Sequence, residues 1–200
     1  MTLKRSLFNI LLVVILLFSF AKLSYALEPK DFVQSTIDKA SEILSSESSK
    51  DEKIVQLRDI AKNTVDIRGI GFYSLGSHRK SLDSDQKKEY LKIFEQYFLK
   101  SFSSRLAEYS DPKIRVDSQE KLNEKYTMVS STLLAGDDKP EVKIDWRIVT
   151  KDPNNPLIID VVIEGVSLAK VQKEEFNSII QSNGGDIKVL FTTLQEFINQ

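Results

Sequence analysis

At Lys113 the spacing of apolar residues changes from the period of a helix to that of a strand, and this switch restricts the fold more than any other feature of the chain. Upstream, Tyr90, Ile93, Phe94, Tyr97, Phe98, Phe102, Leu106 and Tyr109 recur every three or four residues and form one wide aromatic stripe. Downstream, four segments alternate apolar with polar residues: Ile114 and Val116; 126–134; Val142, Ile144, Trp146 and Ile148; and Ile159, Val161 and Ile163. They predict about four strands. The connections AGDDKP and DPNNP are too short for a crossover helix, so these strands should be antiparallel neighbours in a meander.

Helical spacing also marks residues 31–44, a segment starting near Asp51, residues 167–181, and the stretch after Gly184-Gly185. Helices, then strands, then helices predict an α+β domain with helices packed on one face of an antiparallel sheet. Ahead of the aromatic stripe, VDIRGIGFYSLGSHRK carries glycines at 69, 71 and 76. Each glycine costs a helix about 1 kcal/mol relative to alanine, so three together predict close packing or a broken helix. Asp83 with Gln86 reads as a capping pair opening the long helix.

The N-terminus carries Lys4 and Arg5, an apolar run over 7–20, and Ser24-Tyr25-Ala26, which is the pattern of a secretory signal peptide cleaved after residue 26. The run is shorter than the roughly 20 apolar residues that span a bilayer. The expected organisation is therefore a cleaved segment, 1–26, and one domain, 27–200. Cleavage would remove Lys4, Arg5 and Lys22 and no acid, taking the formal charge from −1 to −4. A negative chain without a basic block is a poor partner for nucleic acid, and polybasic membrane docking is disfavoured for the same reason. With no cysteine there is no disulfide framework and no lipoprotein attachment, so the exported domain must hold by packing.

Catalytic signatures are sparse. One histidine, His78, and no cysteine leave zinc without its usual ligands. The acids at 83–85 and 136–138 lack the spacing of a calcium loop. GFYSLG is one residue too long for a nucleophile elbow, and no glycine loop leads into Lys-Ser/Thr.

Asp160 and Glu164 are the remaining candidates for chemistry. On a strand they share a face with Val162, opposite Ile159, Val161 and Ile163, unless a bulge intervenes. A general acid belongs in an enclosed pocket, whereas this pair is expected to face outward and frame a corner. Gly165 would permit the exit from the strand, and Ser167 would cap the next helix. An exported enzyme using His78 or Asp160 as base is the alternative from a different class, and a purely structural envelope protein with a filled interior is another.

"IDWRIV", "IIDVVIEGVSL", "EEF" and "GGDIKVLFTTL", preceded by "GFYSLGSHRKSLDSDQKKEYLKIFEQYF", carry a resemblance. From about Asp31 to the end, their order and spacing resemble the MlaC family, the toluene-tolerance type of phospholipid-binding protein. The resemblance implies helices folded against a curved antiparallel sheet, with acyl chains between the layers. It further implies a periplasmic phospholipid carrier that is not an enzyme and has bound phospholipid as cargo rather than a cofactor. The implied partners are an inner-membrane ABC permease bearing an MCE protein and an outer-membrane lipoprotein complex, in a system that maintains outer-membrane lipid asymmetry. A branch of the family is associated with hopanoids, and the sequence does not separate the two cargoes. Where such chains tend to place proline after the residue opening the long helix, this one has Asp85 after Ser84. Aspartate there suits the helix dipole.

The physical demand on such a carrier is simple. Exposing about sixteen methylenes to water costs on the order of 12 kcal/mol, so the tails need a dry slot and the headgroup a mouth. Candidate walls are Phe94, Tyr97, Phe98 and Phe102 on the long helix, opposite Ile144, Trp146, Val161 and Ile163 on the strands; a closed core is the competing reading of the same residues. Candidate mouth residues are Arg147, Arg68 and Arg79.

Overall fold

The computed structural model describes residues 27–135 and 140–200. The signal-peptide segment and the acids at 136–138 lie outside the described residues. Six α-helices and five strands are described, in the order α1 (Pro29–Ser45), α2 (Lys50–Thr64), α3 (Ile67–Ser74), α4 (Ser84–Leu106), β1 (Ile114–Lys121), β2 (Tyr126–Leu133), β3 (Val142–Val149), β4 (Leu157–Ile163), β5 (Val166–Ser167), α5 (Leu168–Ser182) and α6 (Ile187–Asn199). A 3-10 turn over Gly76–Lys80 joins α3 to α4.

The strands form an open antiparallel meander in chain order, as the short turns predict. The strand count differs by one, because "IEGVS" makes a hairpin. Glu164 and Gly165 both adopt positive φ, 49° and 79°, the pattern of a two-residue hairpin turn, and β5 folds back to pair Val162 with Ser167. Glu164 therefore sits in the turn and not on the strand. Its carboxylate accepts from the Lys143 amide, and its own amide donates to the Lys143 carbonyl at 3.0 Å, closing the end of the β3–β4 ladder.

A bulge also separates the expected faces of β4. Arg147 pairs with Asp160 but Ile148 pairs with Ile158, leaving Ile159 as the extra residue. Ile158, in place of the expected Ile159, consequently joins Val161 in the apolar cluster on the sheet.

The glycine-rich segment is both closely packed and broken. A Cβ on Gly71 would lie 2.8 Å from Cδ1 of Phe94, so the two helices approach more closely than any larger residue allows. Gly76, at φ 56°, ends the helical path and starts the 3-10 turn. Asp83 then caps α4 as predicted, its carboxylate accepting from the Gln86 amide at 2.8 Å while the Gln86 side chain accepts from the Asp83 amide at 3.0 Å.

Two apolar clusters result. The helical one centres on Tyr90, Phe94, Phe176, Ile180, Leu190 and Leu194, drawn from α4, α5 and α6, with Ile70 of α3 against it. The second joins Phe32, Val33 and Ile37 of α1 to Val116, Val129, Ile148 and Ile158 of the sheet. Among the described residues only Val65, at the end of α2, packs against both. It also forms a bridge with Ile158, and the Asp66 amide donates to the Ile158 carbonyl at 2.9 Å.

Candidate functional site

Along β3 and β4 the apolar face is covered unevenly. At one end, Ile148 and Ile158 are 0 % and 4 % exposed beneath α1. One ladder position on, Trp146 and Val161 face each other and are half-buried. At the next, Ile144 and Ile163 are again half-buried, and they belong to neither cluster. Burial thus falls along the strands although the side chains stay apolar, so the face runs on beyond its cover.

Trp146 is held in place on this face. Its indole Nε1 donates to Ser131 Oγ at 2.8 Å, and that hydroxyl donates on to the Ile144 carbonyl at 3.1 Å. Ser131 is completely buried, which fits an indole laid across β2. The alternation in the sequence marks Trp146 but says nothing of Ser131, whose role depends on its cross-strand position opposite Ile144.

On α4, the four aromatic candidates divide. Phe94 is 1 % exposed and surrounded by the rings of Tyr90, Tyr97, Phe98 and Phe176, with centroids 5.7–6.2 Å away. Tyr97 is half-buried and donates to Gln172 Oε1 at 3.0 Å, and burial raises its pKa above the ordinary tyrosine value. Phe98 and Phe102 are half-buried and stacked, at 5.7 Å and 8°. Phe94, Tyr97 and Phe98 belong to or pack on the helical cluster, whereas Trp146 and Val161 pack on the sheet cluster. The sequence suggests that the two sets share a wall-to-wall arrangement; the structure assigns them to separate layers.

Asp160 occupies the other face of β4, and its surroundings are a frame. The carboxylate accepts from Ser167 Oγ at 2.6 Å, from the Ala169 amide at 3.0 Å and from Arg147 Nη1 at 3.0 Å. Ser167 in turn accepts from the Lys170 amide at 3.1 Å. Together they satisfy the first amides of α5 and fix that helix to the strand. The Asp160 side chain is 3 % exposed and that of Arg147 38 %, so the guanidinium is the watered end of a half-buried pair. Arg147 neighbours Trp146 in sequence but projects to the opposite face of the sheet.

The other candidates lie on the helices. His78 Nε2 is 3.0 Å from Asn177 Oδ1, a contact that ties the 3-10 turn to α5. The Arg68 guanidinium stands over the Phe72 ring at 5.7 Å, and Arg79 lines a shallow depression with Phe72, Lys80 and Lys87. A second open depression lies between α5 and α6, away from the sheet. Among the described residues no cluster of acids and histidine could hold a metal ion, and no helix is long and apolar enough to cross a membrane.

The family model described as MlaC protein matches residues 34–196, which is most of the chain. This chain belongs to the MlaC family. It is 24% identical over 180 residues to the intermembrane phospholipid transport system binding protein MlaC of Haemophilus influenzae, covering 86% of this chain and 83% of that protein. Its fold is similar to that of the phospholipid-binding protein from Ralstonia solanacearum, solved in complex with a phospholipid. There the TM-score is 0.70 at 18% sequence identity, over 86% of this chain and 97% of the other. Both relatives are named for binding and not for catalysis. For an MlaC-family chain, the α+β fold with an open antiparallel sheet is thus accounted for from both directions.

Proposed function

We propose that this protein is a periplasmic phospholipid carrier that hides acyl chains against the partly covered apolar face of β3 and β4 and moves them between the inner and outer membranes. The observation that carries the reading is the fall in burial from Ile148 and Ile158 to Ile144 and Ile163 along one apolar ladder. A half-covered apolar face in water is a standing cost of about 25 cal/mol per Å², and an acyl chain is a partner that removes it. Family membership and the named functions of the relatives support the same reading.

In this account Trp146, Val161, Ile144 and Ile163 form the sheet-side wall, and Phe98 and Phe102 the helix-side wall. Phe94 and Tyr97 support the latter from within the helical core. Among the described residues the two clusters share only Val65, and the Asp160 joint holds α5 against β4, so the layers are tied along that edge while their apolar cores stay distinct. Loading from and delivery to an MCE-bearing ABC permease and an outer-membrane lipoprotein complex complete the proposed cycle. No bond is made or broken in it.

Lipid extraction and mass spectrometry of protein purified without detergent test the reading. Stoichiometric phospholipid is the expected result. Hopanoid in its place would redirect the cargo, and empty protein that takes up nothing from vesicles would overturn the reading.

A further inference from the structure

The mature chain is expected to be acidic overall, yet the fold gathers cations around one aromatic ring. Arg79, Lys80 and Lys87 line a shallow depression with Phe72, and the Arg68 guanidinium sits 5.7 Å from the centre of the same ring. Three of the segment's four acids are engaged elsewhere, and the fourth, Glu89, forms no ion pair with these cations. Asp66 accepts from the Gly69 amide, Asp83 from the amides of Asp85 and Gln86, and Asp85 lies 3.1 Å from Lys88. Among the described residues, none of the four cations lies within ion-pair distance of a carboxylate. Such a patch keeps its local potential despite a negative total, because charges beyond about 8–10 Å are screened at physiological salt.

We propose that this patch docks the protein onto a bilayer surface through the phosphates of anionic lipids. The inference rests on the carrier reading, since a carrier must meet membranes or membrane complexes to exchange cargo, but it concerns a different part of the molecule from the acyl site. Two rings favour a bilayer over an acidic protein surface. Phe72 is half-buried among the cations, and Tyr73 beside it is 45 % exposed, with Lys173 Nζ 5.3 Å over its ring. Aromatic rings with cations alongside suit the headgroup layer, where one side of a group meets apolar chains and the other meets water.

Vesicle flotation tests this, using phosphatidylcholine alone and equal parts phosphatidylcholine and phosphatidylglycerol. The wild-type protein should float only with the anionic vesicles and detach as salt is raised. Each cation near an anionic surface contributes about fivefold, so Arg79→Gln/Lys80→Gln/Lys87→Gln should weaken binding about a hundredfold. All three side chains line an open depression, so the variant should fold, and an unchanged thermal melt would show it. Retained phospholipid in the variant would separate the patch from the cargo site, whereas loss of cargo in the wild type would sink the carrier reading and leave the flotation result standing. Lys125→Gln/Lys151→Gln, in the β1–β2 and β3–β4 turns and outside the Phe72 depression, should float like the wild type. Equal binding by the triple variant, an equal loss in that control, or no preference for anionic vesicles would overturn the proposal. Failure to float at all would assign the patch to an acidic protein partner instead.

Discussion

Around Phe94 the neighbouring positions are filled: four rings lie within 6.2 Å of its own, and Gly71 leaves just enough room for its edge. Along β3 and β4 side chains of similar character pass within two ladder positions from full to partial burial. Composition does not distinguish these regions, since both are aliphatic and aromatic. Their partners do. The helical cluster is closed by elements on several sides, whereas the sheet has α1 over one end of its apolar face. The first region holds the protein together, and the second is left able to hold something else.

The largest expected effect falls on the closed region. Phe94→Ala should cost about 3–5 kcal/mol, the range for a fully buried phenylalanine, and urea midpoints should fall accordingly. A loss under 1 kcal/mol would mean that the helical cluster is no more essential than the sheet face. Next comes the joint between α5 and β4. Asp160→Ala should destabilise by about 2–3 kcal/mol, less than a fully buried pair would show because Arg147 can turn to water. Retention of full stability would remove Asp160 from the frame and reopen its candidacy as a base.

Val161→Trp sharpens the contrast from the open side. Overpacking a half-covered site should cost about 1–3 kcal/mol while lipid occupancy collapses, so cargo is lost before folding is. If occupancy stays at the wild-type level, the tails lie elsewhere. Tyr90→Phe should have the smallest effect, about 1 kcal/mol near neutral pH, because its hydroxyl donates to the buried Gly71 carbonyl at 2.9 Å. Burial raises the pKa of Tyr90, with the nearby Tyr97 adding to it. The folded state therefore holds that proton more tightly than the unfolded chain, and the resulting stability is present below the ordinary tyrosine value of 10.0 and lost as pH rises above it. The variant should show a shallower alkaline decline than the wild type.

Local chemistry was the part most legible in the sequence. The change of period announced the meander, the Asp83–Gln86 pair announced the start of α4, and Ser167 announced the start of α5. Strand alternation places Asp160 opposite the apolar face but does not give its burial: it is expected to face outward, and α5 covers it. What periodicity cannot say is which element lies against a buried face. The α4 stripe reads equally well as a wall facing a sheet or as the core of a helix bundle, and Phe94 proved to be the latter. The bulge at Ile159 and the Glu164–Gly165 turn were hidden for a different reason: each costs one residue's departure from alternation, and β-branched runs such as IIDVVI look the same in either register. Arg68 and Arg79 were legible as candidate headgroup cations, but their meeting with Lys80 and Lys87 around Phe72 was not, because it depends on the turn at Gly76.

Trp146 is the chain's single tryptophan and stands on the sheet where burial begins to fail, so its fluorescence reads the proposed site without any substitution. Loading the protein with phospholipid brominated along its acyl chains is the most direct test. The account predicts strong quenching of Trp146 as the lipid enters, with none from the same lipid unbrominated. Bound brominated lipid that leaves the emission untouched would contradict it.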